Sequence, residues 1–294
     1  MIRFLATERI TRTIDDWLTA AGAPLAGRVR TVAYEAILGR RVRPDPRDVW
    51  IVSDYDRLRT DDAFQAAALW QQLRDGGCRV VNHPTRSMRR YELMRTLYEA
   101  GVNAFDISRV VDLRPPRRYP VFLRRFDNHE GPATALLPDA AALERAIEHA
   151  REDGWPMDWV AIVEFAETIE PDGRYRLRSA MRIGESLFPL HVVDGDGWVV
   201  KDPCPGAPDE GTVAAERDHV DRFAESGLVI RAFELARIEY GRIDYSRSGS
   251  GIQVWEIDPR PTLGAASSRP EARAAADASI VDAMERLMQP GDGA

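Results

Sequence analysis

Lysine is nearly missing from this sequence: of 40 basic residues in 294, only Lys201 is not arginine. A chain that has made every other cation Arg, yet keeps one Lys, points to a position where a compact point charge and a planar fork are not interchangeable. Cysteine is scarce too. Cys78 and Cys204 are the only two, which argues against a disulfide framework or a cysteine-built zinc site and suits a reducing compartment. Positive charge is not in excess: the net charge is −7 and the pI about 5.4, so nothing recommends nucleic acid as a partner. No apolar run approaches transmembrane length, and the first residues lack the apolar core of a signal peptide. A cytoplasmic protein with no membrane partner is expected. No Gly-x-Ser-x-Gly and no Cys/His pairing stands out, so a dedicated covalent nucleophile is not expected either.

What is present reads as a globular α/β chain. Hydrophobic residues make up 44% and charged residues 30%, and the length suits about two domains with a sizeable core. Residues 1–30 read as amphipathic helix, with Ile14, Trp17, Leu18 and Ala21 at three- and four-residue spacing. Val49–Val52 reads as a buried strand, followed by a helix that Asp61 and Asp62 cap, with Phe64, Ala67, Ala68 and Leu73 on its apolar face. Gly76 and Gly77 stop it. Arg79–Val81 is a second strand, and Met88–Ala100 a second helix. Strand, helix, strand, helix implies a parallel layer, whose ligands lie beyond the carboxyl ends of the strands. That places Asp54, Tyr55, Asn82 and His83 at a substrate mouth, although His83 reads equally as a loop residue held by backbone.

The second half is richer in chemistry. Arg114–Pro120 is a proline-rich linker, and Val121–Arg125 a strand ending in two cations ahead of a turn-rich loop through Thr134. Asp139 caps the next helix. Trp159–Phe165 is a strongly apolar strand ending in Glu164. In Arg174–Arg178 cations alternate with apolar residues, and Arg182 keeps the parity: either a solvated face paired with acids or a wall for phosphate. Lys201 ends a further strand. Last comes a hairpin, Arg242-Ile243-Asp244-Tyr245 and Val254-Trp255-Glu256-Ile257-Asp258, joined by a Ser/Gly turn. Period-2 geometry puts Glu256 and Asp258 on one face, with Trp255 and Ile257 on the other. Three carboxylates on one face repel unless a cation lies between them, and oxygen-only ligands suit Mg²⁺. An exposed hairpin with acids on its wet side is the plainer alternative.

In this order the segments resemble the ATP-grasp superfamily, nearest the D-alanine–D-alanine ligase branch and the glutamate-adding ligases of ribosomal-protein-modifying type. The resemblance covers roughly residues 49–265, most of the chain, through motifs that are each short. Tyr119–Arg124 looks like the lid strand, Val163-Glu164-Phe165 the adenine hinge, and Arg242-x-Asp244 with Glu256-x-Asp258 the metal-holding strands. It implies an α/β (α+β) ATP-grasp fold divided as 1–113, a parallel pre-grasp domain; 114–165, the lid subdomain; and 166–294, an antiparallel core with the metal site. It implies ATP and Mg²⁺ as cofactors, with Asp244, Glu256 and Asp258 as metal ligands. Arg124, Glu164, Phe165, Arg178 and Lys201 would bind nucleotide, and Arg242 and Lys201 would act in catalysis, Arg242 steadying the oxyanion. The implied activity is ADP-forming carboxylate–amine ligation through an acyl phosphate, on a small-molecule acid and an amine that are amino acids or peptides. The chain departs from the family in having Arg124 (or Arg125, if the register slips) where a lid lysine is usual, few lid glycines, and Asp258 for Asn. Two alternatives stand beside the ligase: a small-molecule kinase on the same fold, and a non-catalytic ATP-binding protein with a degenerate lid. Nothing in the sequence fixes oligomeric state, and a homodimer stays open.

Overall fold

In the computed structural model, which describes residues 1–126, 131–200, 209–249, 251–263 and 269–289, the chain opens on a strand rather than a helix. β1 (Ile2–Ala6) precedes α1 (Glu8–Thr19), so the helical reading of residues 1–30 is correct only for its middle. β1 is buried at Ile2, Phe4, Leu5 and Ala6, because it lies inside the first sheet with both faces covered. β2 (Val29–Ala33), α2 (Tyr34–Ile37), β3 (Val49–Val52), α3 (Thr60–Asp75) and β4 (Arg79–Val81) follow. The sheet order is β2-β1-β3-β4, all parallel. On α3, Arg59 is the N-cap residue, while Asp61 and Asp62 lie in the first turn, where carboxylates suit the helix dipole without capping it. The expected apolar face is also rotated: Ala63, Ala66, Leu69 and Leu73 are buried and Phe64 is 68% exposed.

α4 (Arg90–Glu99) leads to an antiparallel sheet ordered β5-β7-β6, made of β5 (Ile107–Arg109), β6 (Val121–Arg125) and β7 (Val160–Glu164). α5 (Ala140–Glu152) packs on it, with its N-terminus capped by Asp139, whose carboxylate accepts from Ala142 N at 2.8 Å. Alternation along β6 decides its chemistry. Val121 and Leu123 enter the core under α5, leaving Phe122 and Arg124 to the other face.

The third sheet is antiparallel, ordered β11-β10-β8-β9, from β8 (Tyr175–Ile183), β9 (Ser186–Gly195), β10 (Tyr240–Ser248) and β11 (Gly251–Asp258). α6 (Glu210–Arg222) and α7 (Ser226–Ala236) precede the hairpin, and α8 (Pro270–Leu287) closes the chain. Ile243, Tyr245, Ile252, Val254 and Ile257 bury one hairpin face against Val229, Ala232 and Phe233 of α7 and Leu93, Met94 and Leu97 of α4. Asn82, at φ 64°, ties the parallel sheet to this one: its amide donates to Val52 O (3.1 Å) and Tyr240 O (2.9 Å) and accepts from Glu239 N and Tyr240 N. Beyond β11, Pro259 O accepts from Ser53 Oγ at 2.8 Å and Arg260 meets buried Asp54 at 3.0 Å. The end of the hairpin is thereby fixed at the carboxyl end of β3. Among the described residues no helix is long and apolar enough to cross a membrane.

Candidate functional site

The register of the hairpin builds a square of charged side chains. Arg242 faces Asp258 across the two strands and Asp244 faces Glu256, so the four share one sheet face. The bulge falls immediately beyond this square. Asp244 pairs with Glu256 but Tyr245 with Val254, leaving Trp255 as the extra residue. Alternation would send Trp255 into the core beside Ile257. The bulge instead brings it to the cleft wall, with its indole N–H donating to Ser246 Oγ at 3.0 Å and its ring stacked on Phe105 at 5.2 Å.

The cleft above this square has a volume of about 350 Å³ and two chemically distinct ends. Phe122, Phe165, Leu177, Trp198 and Val200 make one end apolar, with Trp198 packed 5.1 Å from Phe122 and edge-on to Phe165 at 5.8 Å. The other end holds Arg124, Arg242, Asp244, Glu256, Asp258 and Arg260. An apolar slot opening onto a few convergent polar groups is the usual form of a ligand site.

Within the charged end each group is strongly conditioned. Arg242 grips Asp244 with two hydrogen bonds, Nε to Oδ1 at 3.0 Å and Nη2 to Oδ2 at 2.9 Å, and Asp244 keeps the guanidinium well above its usual pKa. Ser179 donates to Asp244 Oδ1 at 2.6 Å. Burial pushes the Asp244 carboxyl up, and Arg242 pulls it back. Glu256 is joined by Arg90, which reaches it from the first turn of α4. Arg124 has a buried Nε with no hydrogen-bond partner among the described residues. Burial draws its guanidinium down to about 10, with Arg90 adding to the fall and Glu256 opposing it. A buried cation so poorly matched by its neighbours is a good receptor for an anion.

All three carboxylates line one cleft, and Asp244 and Glu256 are direct cross-strand partners. As the side chains stand, no group of three His, Cys, Asp or Glu residues converges closely enough to hold a metal among the described residues. Arg242 and Arg90 hold two of the carboxylates instead. Mg²⁺ commonly takes one or two carboxylates and completes its shell with water and phosphate oxygens, so the donor set fits such an ion without forming a ready cage.

Other expected residues lie elsewhere. Phe165 is on the cleft wall, but Glu164 is buried beneath it, accepting from Arg117 N at 2.7 Å and Asp106 N at 3.2 Å. Arg178 faces away, because Tyr175 and Leu177 take the cleft side of β8. Its guanidinium is paired with Glu170 at 2.5 Å, and Arg176 joins the same carboxylate at 2.8 Å. Burial pushes Glu170 up, yet the two arginines outweigh it and hold its carboxyl below the usual value. Arg176 and Arg178 thus form a buried ionic cluster with Glu170 on the back of the sheet, while Arg182 donates to the carbonyls of Gly184 and Ile238. Lys201 lies outside the described residues, as does Cys204. Asp54 and Tyr55 are fully buried and Asn82 is a staple between sheets, while the neighbouring Asp56–Asp61 line a cleft. His83 packs at a tilt against Trp70, with ring centroids 4.5 Å apart, and accepts from Thr85 N at 3.2 Å, in keeping with its loop reading.

Arg89, Arg90, Ser179 and Trp198 were not singled out from the sequence. For the arginine pair a signal existed: two cations at a helix N-terminus oppose the dipole, a local conflict that asks for a tertiary reason.

No family model and no curated protein sequence matches the chain. Solved structures do. A RimK-domain ATP-grasp protein from Sphaerobacter thermophilus matches with TM-score 0.51 at 17% identity, covering 97% of this chain and 98% of its own. The D-alanine–D-alanine ligase of Bacillus anthracis, complexed with ATP, gives TM-score 0.53 at 12% identity, with 98% and 96% covered. The VanG D-Ala:D-Ser ligase of Enterococcus faecalis gives 0.54 at 12%, with 98% and 99% covered. The likeness is one of fold over nearly the whole length: this chain has the ATP-grasp fold.

Proposed function

We propose that the protein is an ATP- and Mg²⁺-dependent carboxylate–amine ligase that forms ADP. The observation that carries this reading is the two-ended cleft, in which an aromatic slot of purine-binding character opens onto Arg124 and three carboxylates. The ATP-grasp fold supports it, since the neighbouring folds include ligases that join amino acids and one that is complexed with ATP. Asp244, Glu256 and Asp258 would hold Mg²⁺, which when bound supplies charge neutralisation for the phosphates.

The chain's own residues account for the rest. Phe165 and Trp198 receive the base. Arg124, whose buried Nε has no hydrogen-bond partner among the described residues, attracts the phosphates, and Lys201 is assigned the same work. A carboxylate oxygen of the acid attacks the γ-phosphorus, the bond to the bridging oxygen breaks, and ADP leaves with an acyl phosphate remaining. The amine nitrogen then attacks the acyl carbon, phosphate departs, and the amine gives up a proton. Arg242 faces this centre and steadies the oxyanion. Such catalysis rests on positioning and electrostatics and needs no covalent nucleophile.

The test is product analysis by phosphorus NMR against a panel of amino acids and dipeptides. ADP and phosphate released only with an acid and amine together support the proposal. AMP with pyrophosphate overturns it, and a stable phosphorylated acceptor formed without amine makes the protein a kinase.

A further inference from the structure

The two oxygens of Asp244 are held unequally. Ser179 faces Asp244 across β8 and β10 and donates to its Oδ1 at 2.6 Å. Arg242 Nε reaches the same oxygen at 3.0 Å. Among the described residues Oδ2 accepts only one hydrogen bond, from Arg242 Nη2 at 2.9 Å. A carboxylate oxygen has room for about two partners. Oδ1 is therefore full, and Oδ2 has one place left on a side chain that lines the cleft. The strands fix this arrangement. Ser179 is buried where β8 and β9 slip register, Arg178 pairing with Val192 but Ala180 with Pro189. The slip sets Leu190 and His191 opposite Ser179 alone, and His191 Nε2 lies 3.2 Å from the hydroxyl. Because the hydroxyl gives its one hydrogen to Asp244, His191 is the donor in that pair. His219 Nε2 holds the backbone from another side, donating to Ser179 O at 2.9 Å.

We propose that Ser179 selects the size of the cation in this cleft: together with Arg242 it occupies Oδ1 and limits Asp244 to one oxygen for a metal ion. A carboxylate that offers one oxygen suits Mg²⁺, which is small and holds to six octahedral ligands. Ca²⁺ gathers 6–8 oxygens and often takes both from one carboxylate, so the blocked Oδ1 counts against it. Ser179 works through Asp244 and is a positioning residue, and His191 keeps its hydroxyl turned toward the carboxylate. The inference rests on Asp244 being a ligand of the nucleotide's cation, as in the proposed function.

The test needs no turnover. Mn²⁺ stands in for Mg²⁺, since it accepts the same octahedral oxygen ligands and is visible by electron paramagnetic resonance. Mn²⁺ is bound to the protein–ADP complex, and Ca²⁺ is titrated against it. In Ser179→Ala a place opens on Oδ1 beside Arg242, and half-displacement of Mn²⁺ should need about tenfold less Ca²⁺ than in wild type. Ser179→Thr keeps the hydroxyl and should keep the wild-type preference. His191→Leu leaves the hydroxyl free to turn and should fall between wild type and Ser179→Ala. A purely structural role for Ser179 would weaken both ions alike and leave their ratio where it was. An unchanged ratio in Ser179→Ala, or no Mn²⁺ bound to the wild-type ADP complex, overturns the inference. If the ratio shifts as expected but no acid and amine pair yields ADP, the ligase reading fails while the selection of the cation stands.

Discussion

Arg242 and Asp244, two residues apart on one strand, lie fork against carboxylate, with Nε to Oδ1 at 3.0 Å and Nη2 to Oδ2 at 2.9 Å. Lysine keeps the charge but not the paired bonds. Arg242→Lys should lower kcat about a hundredfold, as loss of an oxyanion donor does, with the ADP dissociation constant within about threefold of wild type. Steady-state kinetics beside calorimetry decides it. Equal losses in both would make Arg242 a binding residue only.

Trp198 stands over the apolar end of the cleft against Phe122 and Phe165. Stacking on a base contributes about 1–3 kcal/mol, so Trp198→Ala should weaken ADP binding by roughly 5- to 150-fold. Binding of Mg²⁺-tripolyphosphate, which lacks a base, should hardly change. A parallel loss for both ligands would place the base elsewhere.

Asn82 makes four side-chain hydrogen bonds that join β3 to β10 at a left-handed backbone position. Asn82→Ala leaves those buried backbone groups unmatched and should cost about 2–4 kcal/mol in urea unfolding. Asn82→Gly relieves only the backbone and should recover less than about 1 kcal/mol of that loss.

Two histidines are buried without charge. Burial draws His219 down to about 4 and His191 to about 3. Each has a folded pKa below the unfolded value near 6.5, so the unfolded chain takes up more protons in between. Their contribution is complete above about pH 6.5 and is lost as pH falls toward the folded values. His219→Gln, which keeps a donor for Ser179 O, should remove roughly 1.5 kcal/mol of the stability lost by wild type between pH 6.5 and 5. Urea titrations of both proteins at the two pH values measure the difference.

The hairpin was legible because its chemistry follows a period of two: Arg242, Asp244, Glu256 and Asp258 need only strand alternation to share a face. Trp255 was not, since a bulge breaks that alternation without marking the residue. β1 was hidden by its brevity beside a long amphipathic helix, although its burial on both faces makes it an apolar run. Arg178 shows the limit of parity. Alternation groups the arginines correctly but does not say which face meets the cleft, and Glu170 settles that from outside the strand. The Arg90–Glu256 pair spans 166 positions, a separation no local pattern reports.

The acyl phosphate is the centre of this account, and isotope transfer tests it most directly. An acid that supports ADP release is labelled with ¹⁸O in its carboxylate, and the phosphate is collected after turnover with the amine. One labelled oxygen should pass from carboxylate to inorganic phosphate in each turnover. Label found in AMP, or phosphate free of label, would contradict the account.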